Sequence, residues 1–218
     1  FPNLNAINNN TTPTWEVLPS VSRDMSFRCT VRDNFPPGGC RAEVDVDLRF
    51  HGAAGPFLVL SPNTNVTWVI AETETVSWDV ANTDAAPVSC SDVDILLSTD
   101  GGLTYPVTLA SGVPNTGSFD ITVPNAPTNS ARVKVVCSDN IFFDVSNQNF
   151  AIELPPTPTF LMQVTPFSQS ICNSEELVYT IGLTSVLGFD EAVALSVTGL
   201  PGDATAAFDN NPVTPTGT

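Results

Sequence analysis

The residues of this chain with the most chemical promise are its carboxylates. Asp45 and Asp47 are spaced by two, as are Asp92 and Asp94, and Asp33, Asp79, Asp84, Asp100, Asp139 and Asp144 fall in loop-like stretches. Spacing of two on a strand puts both side chains on one face. Convergent oxygens of that kind suit a hard cation, which takes roughly six to eight oxygen ligands. Asp92, Asp94, Asp100, Asp139 and Asp144 are therefore the candidate ligands for a Ca²⁺ ion held between loops. The plainer alternative is a solvated acidic face that keeps the protein soluble. General acid–base work is less favoured, because no substrate-groove signal accompanies the pairs. Nucleophilic catalysis has little to draw on. His51 is the only histidine and Lys134 the only lysine, so a Ser–His–Asp arrangement would have to use His51. Neither a G-x-S-x-G elbow nor an H-E-x-x-H zinc motif is present. The expectation is a protein that is not an enzyme, with His51 a linker or surface residue.

One run has a specific local signature. Ser98-Thr99-Asp100-Gly101-Gly102-Leu103-Thr104-Tyr105 fits S-x-D-x-G-x-T-aromatic. Asp100 can accept hydrogen bonds from turn amides, Gly101 and Gly102 tolerate positive φ, and Tyr105 can pack beneath. The pattern resembles the Asp box, a β-hairpin motif of sialidases and propellers. The resemblance implies a structural turn built by Ser98, Asp100, Gly102, Thr104 and Tyr105, with no catalytic role.

The five cysteines lie at 29, 40, 90, 137 and 172. They form no C-x-x-C pair, and only His51 could complement them, so a zinc site is disfavoured. Wide spacing in a β-rich, Lys-poor chain reads as disulfides in an oxidising compartment. The expected pairs are Cys29–Cys40 and Cys90–Cys137. Cys172 is left over, with its partner expected beyond Thr218; free buried thiols are the alternative. Sequons at Asn9, Asn10 and Asn65 permit glycosylation without demonstrating it. Trp15 and Trp68 could make a sugar-binding platform, but packing at a sandwich edge is the favoured reading.

The elements that must position these residues follow from composition and pattern. The 218 residues carry 23 acids and 7 bases, a net charge of −16. That balance excludes nucleic acid as a partner, since phosphate binding needs clustered Lys and Arg. It also disfavours an anionic membrane surface. No apolar run reaches the roughly 18 residues a membrane helix needs, so membrane insertion is not expected. Hydrophobic residues make up 42% and charged residues 14%, which is not the balance of a disordered acidic tail. The chain starts at Phe1 without a signal peptide and reads as a mature form or a fragment.

Charge divides the chain into three segments. Residues 1–55 hold six acids and five bases, 56–153 eleven acids and two bases, and 154–218 six acids and no base. The first contains two alternating runs, Ser26–Arg32 and Ala42–Phe50, around the turn signal Asp33-Asn34-Phe35-Pro36-Pro37-Gly38-Gly39. Val44, Val46, Leu48 and Phe50 face one way; Glu43, Asp45, Asp47 and Arg49 face the other. Two or three strands bury little core alone, so 1–55 reads as the C-terminal part of a β-sandwich-like module. Segment 56–153 predicts nine short strands: 57–60, 66–70, 75–80, 93–97, 107–109, 118–123, 132–137, 142–145 and 150–152. About 100 residues with seven or more short strands is the pattern of an immunoglobulin-like sandwich, and Trp78 should point inward with Val76 and Val80. After the Pro-rich linker Leu154–Thr159, segment 154–218 predicts strands at 160–165, 177–183, 192–197 and 205–208. That is too few for a closed module, and an open edge there would invite another chain. The fold class expected is all-β: tandem immunoglobulin-like or fibronectin-like sandwich modules, with the end modules incomplete.

The chain also resembles known families. Phe1-Pro2-Asn3-Leu4, Trp15–Arg23 and Phe27–Asn34 look like the region behind the catalytic domain in secreted reprolysin-like zinc metalloproteases of Bacteroidetes. Gly55-Pro56-Phe57, Val76–Val80, Val93–Gly102 and Val113–Gly117 continue that likeness. The second segment is similar to the immunoglobulin-like domain of fungal Ser/Thr-rich cell-wall proteins. The third, with Asn211-Pro212-Val213-Thr214-Pro215-Thr216-Gly217, is similar to bacterial surface modules.

The likeness implies an accessory role in a large secreted or cell-surface protein, in spacing and in adhesion to a protein or glycan ligand. The zinc-binding helix of such proteases has no counterpart here, so no catalytic residue carries over. Two alternatives stand beside this reading. One is the targeting region of a secreted zinc metalloprotease. The other is a subunit of an extracellular filament in which neighbouring copies supply missing strands.

Overall fold

The computed structural model describes all residues except 1, 2, 13–16, 18, 34, 36, 37, 167, 168, 170–175, 203 and 218. Trp15 and Cys172 lie outside the described residues. The described chain is nearly all β. A short helix, α1 (Leu4–Asn8), comes first. The strands β1 (Arg23–Arg32) and β2 (Arg41–Phe50) follow as an antiparallel pair. Nine strands occupy the middle: β3 (Leu58–Ser61), β4 (Thr67–Val69), β5 (Thr73–Asp79), β6 (Asp92–Ser98), β7 (Val107–Pro114), β8 (Ser118–Thr122), β9 (Thr128–Cys137), β10 (Phe143–Val145) and β11 (Phe150–Glu153). The last two are β12 (Thr159–Thr165) and β13 (Thr180–Val186).

The nine middle strands build two sheets. One has the order β3-β5-β8; the other runs β4-β11-β9-β6-β7, with β10 also on β9. All pairs in them are antiparallel except β11 with β4. The two sheets share one filled core. Val59, Val76, Trp78 and Ile121 come from the first; Val93, Ile95, Leu97, Val133, Val135, Phe150 and Ile152 from the second. Strand β9 shows how sequence directs this. Ala131, Val133, Val135 and Cys137 alternate inward and are buried, because strand side chains point to opposite faces in turn. Trp78 and Val76 are buried as expected, with Val80 packed at the margin. Trp68 is also core, tilted against Phe150 at 4.5 Å between ring centroids, which leaves it no sugar-binding face.

The remaining strands are less enclosed. In β1–β2 the pairing runs from Arg23↔Phe50 to Arg32↔Arg41 without a bulge, and no residue of either strand is buried. Strands β12 and β13 pair over seven rungs. Val186 belongs to the main core cluster, and Leu161 packs on it. The strands expected at 192–197 and 205–208 do not form; Val193 makes only an isolated bridge to Val213.

Cysteine pairing is half as expected. Cys90 and Cys137 form a disulfide with S–S 2.05 Å, and both are buried. It joins the approach to β6 with the end of β9, where Val93 pairs with Cys137. The expected Cys29–Cys40 bridge is absent, and both thiols are free and exposed. The register explains this. Cys29 lies opposite Val44, whereas Cys40 sits in the turn, exchanging hydrogen bonds with Asp33 (Asp33 N to Cys40 O 3.1 Å; Cys40 N to Asp33 Oδ1 2.8 Å). Four residues of strand separate the two positions, about 13 Å at ~3.3 Å per residue, while a bridge needs Cα atoms within about 7 Å.

Candidate functional site

The polar residues gather at the end of β6 and on the neighbouring part of β9. The turn after β6 is held by one carboxylate. Asp100 Oδ1 accepts from the Ser98 hydroxyl at 2.7 Å, the Leu103 amide at 3.0 Å and the Thr104 amide at 2.9 Å. Its Oδ2 accepts from the Thr104 hydroxyl at 2.6 Å. The Ser98 hydroxyl also accepts from the Gly102 amide at 2.8 Å. Gly101 and Gly102 have φ of 78° and 90°, which a side chain adopts only with strain. The Thr104 hydroxyl first, then the Ser98 hydroxyl and the turn amides, hold the Asp100 carboxyl well below the usual carboxylate range. This is the turn expected from S-x-D-x-G-x-T, atom by atom.

Tyr105 leaves the turn half-buried, and its hydroxyl makes no hydrogen bond among the described residues. Burial pushes its phenol up to about 12, with Arg132 opposing and Asp100 and Asp144 adding to the rise. Lys134 lies 5.5 Å from the Tyr105 ring centroid and 4.0 Å from that of Phe143. Burial lowers its pKa. The lone lysine is thus set against two rings, where a cation is attracted by the ring faces.

Arg132 is the residue that sequence reading missed. It projects from β9 and is only 7% exposed. Its Nε donates to Asn149 Oδ1 at 2.6 Å, one terminal nitrogen to the Ser146 carbonyl, and the other to the Asn8 carbonyl at 3.0 Å. Asn8 ends α1, and an arginine at a helix C-terminus meets unsatisfied carbonyls. Asn8 Nδ2 in turn donates to the Gly102 carbonyl at 3.0 Å. A Cβ on Gly102 would stand 2.5 Å from Asn8 Oδ1. The guanidinium therefore ties the helix to the 146–149 loop, and the Asn8 side chain ties the helix to the Asp100 turn. The available signal was slight: Arg132 is one of two bases in a segment of eleven acids.

The five candidate cation ligands are not brought together. Asp92 accepts from the Ser91 hydroxyl at the start of β6. Asp94 accepts from the Ser111 hydroxyl, the Gly112 amide and the Ser138 hydroxyl. Asp100 is at the opposite end of β6, fully engaged in its turn. Asp144 faces inward from β10 and accepts from the Val59 amide at 2.7 Å, and burial raises its pKa. Asp139 lies 3.1 Å from Cys137 Sγ. Among the described residues the one cluster with metal-ligand spacing is Cys90, Cys137 and Asp139. Its two sulfurs are joined to each other, and metal ligation by cysteine needs the thiolate. Asp92, Asp94, Asp100, Asp139 and Asp144, the expected Ca²⁺ ligands, thus form no group of three with ligand spacing among the described residues. Their spacing along the chain serves local turns and strand edges.

His51 is half-buried before β3, its Nδ1 without a hydrogen-bond partner among the described residues. Among the described residues no carboxylate or hydroxyl is hydrogen-bonded to that nitrogen. In the described residues no helix is long and apolar enough to cross a membrane. No protein-family model and no curated protein matches the chain.

Proposed function

We propose that the chain is a run of non-catalytic, immunoglobulin-like β modules from a large secreted or cell-surface protein, acting in spacing and in adhesion or substrate targeting. The observation that carries this reading is the use made of the polar residues. Asp100 closes a turn, Arg132 ties a helix to the sandwich, and Asp144 bonds the edge of β3. Each is engaged with backbone and presents no free pair of groups to a substrate. A buried disulfide in the main core supports an oxidising compartment. The layered β architecture with a buried Trp78 supports the immunoglobulin-like assignment. The ligand is a protein or a glycan of the extracellular surroundings. The resemblance of the first two segments points to a secreted zinc protease as the parent.

The test is direct. The purified chain, with and without added Ca²⁺ and Zn²⁺, is incubated with casein, gelatin and chromogenic glycosides, and its retention on immobilised gelatin and insoluble polysaccharides is measured in parallel. Retention without turnover is the expected result. Turnover that His51→Ala or Asp100→Asn abolishes would overturn the reading.

A further inference from the structure

The segment around helix α1 sits on the sandwich much as a bound peptide would. Residues 3–11 carry no charged side chain, and Ala6 is the only buried residue of α1. Long-range polar bonds fix the segment in place. The Asn8 carbonyl accepts from Arg132 at 3.0 Å, Asn8 Nδ2 donates to the Gly102 carbonyl at 3.0 Å, and Asn10 Nδ2 donates to the Asn147 carbonyl at 2.7 Å. Gly102 is buried although Asp100, Leu103 and Thr104 beside it are exposed, because the Asn8 side chain lies against it.

The receiving side is held without the segment. Arg132 Nε is fixed by Asn149 Oδ1, and one terminal nitrogen by the Ser146 carbonyl. Ser146 is itself tied to β9 through Val133 (Val133 N to Ser146 Oγ 3.0 Å; Ser146 N to Val133 O 2.8 Å). The Gly101 amide donates to the Ser130 carbonyl at 2.8 Å, and the Gly102 amide to the Ser98 hydroxyl at 2.8 Å. A guanidinium donor and the carbonyls of Gly102 and Asn147 therefore face the segment in a frame that the sandwich supplies. The segment is the less secure half. Its five-residue helix is far too short to persist alone, and seating it costs the conformational freedom of the whole segment. Asn8 Oδ1 is moreover buried with no hydrogen-bond partner among the described residues, which weakens the seated form.

We propose that residues 3–11 are a releasable latch, which occupies a peptide-docking site on the sandwich and bares it on opening. The site reads a peptide turn through a carbonyl held on Arg132 and amide N–H groups held on the Gly102 and Asn147 carbonyls. Its partner is an uncharged, asparagine-bearing segment of the same chemistry as the latch. A carboxylate in place of the Asn8 amide would face the Gly102 carbonyl and is rejected. An attached segment competes with a free one at high effective concentration. The closed latch therefore holds back a partner that the open site accepts, and the apparent affinity falls with the fraction of open chains. The latch goes beyond the module-array reading and does not rest on it.

A labelled synthetic peptide of residues 3–12, titrated into the full chain and followed by fluorescence anisotropy, tests it. Ala6→Arg puts a large charged side chain at the buried position of the latch and leaves Arg132, Gly102 and Asn147 unaltered. That variant should bind the peptide at least tenfold more tightly than the unaltered chain. Asn5→Arg adds the same charge at an exposed position of the helix and should keep the affinity within twofold of the unaltered chain. A peptide carrying Asn8→Asp should bind the Ala6→Arg chain at least tenfold more weakly than the original peptide. Amide exchange in the unaltered chain gives a readout that depends on no variant. The Asn9 and Thr11 amides, bonded within the latch to the Asn5 and Ala6 carbonyls, should exchange at least about 100-fold faster than those of β9. No binding by the Ala6→Arg chain, equal affinity of the Ala6→Arg and unaltered chains, indifference to Asn8→Asp in the peptide, or latch amides as protected as those of β9 would overturn the proposal.

Discussion

Replacing Cys90 and Cys137 together by alanine should destabilise the main core by about 4 kcal/mol at 25 °C. The figure follows from the loop that the bridge closes, a sequence separation of 47. The chain-entropy relation for that length gives about 13–14 cal/mol/K, or about 4 kcal/mol. Both residues are buried at the junction of β6 and β9, so the bridge constrains strands that lie at the centre of the larger sheet. A sandwich of about 100 residues loses about 3 kcal/mol of stability per molar guanidinium. The unfolding midpoint, followed by tryptophan fluorescence from the buried Trp68 and Trp78, should therefore fall by about 1.3 M. Reducing agent added to the unaltered chain should move the midpoint in the same direction. A shift below about 0.3 M for the double variant would refute the reasoning, because the bridge would then not be restricting the unfolded chain.

Three further outcomes follow from other parts of the sandwich. Asn115 accepts from Trp78 Nε1 at 2.8 Å and donates to the Cys90 carbonyl at 3.0 Å and the Thr83 hydroxyl at 3.2 Å, all in the interior. Asn115→Ala should cost about 3 kcal/mol by orphaning the indole N–H and a carbonyl, read as a lower denaturant midpoint; a loss under about 1 kcal/mol would contradict it. The Asp144 carboxyl is raised in the folded state by burial. Its contribution is therefore complete below the unfolded value of about 3.9 and declines as pH rises through the folded value. Asp144→Asn should flatten stability against pH above about 4 while keeping an acceptor for the Val59 amide, and an unchanged slope would count against the placement. Asp100 behaves oppositely: its lowered value means that its contribution is present above about 3.9 and is lost only as pH falls through the folded value. Carboxyl-carbon NMR should show Asp100 ionised at pH 3, and a mid-range titration would contradict the turn geometry.

The middle of the fold was readable because its signals are local. All nine strands expected between residues 57 and 152 form, within a few residues of the expected bounds. Alternation such as Val93, Ile95, Leu97 against Asp92, Asp94, Leu96 states which side is core before any partner is known. The Asp100 turn was readable for the same reason, since every bond that Asp100 makes lies within four residues. The misses are non-local. Arg132 meets Asn8 across 124 residues of chain, and nothing near Arg132 in sequence marks that contact. Helix α1 was not expected; Asn3 caps it, its side chain accepting from the Ala6 amide. Strands expected at 192–197 and 205–208 had suitable residues but no partner ladder, and β-propensity without a neighbour does not make a strand. The Cys29–Cys40 pairing failed because flanking a turn in sequence does not place two residues on the same rung.

The account rests on a contrast between one filled core and one uncovered ribbon. Residue-resolved hydrogen exchange on the dilute chain tests that contrast most directly. Amides of β5, β6 and β9 should exchange only through global unfolding, while those of β1 and β2 should exchange at least about 100-fold faster. Equal protection of the hairpin and the core strands in dilute solution would contradict it.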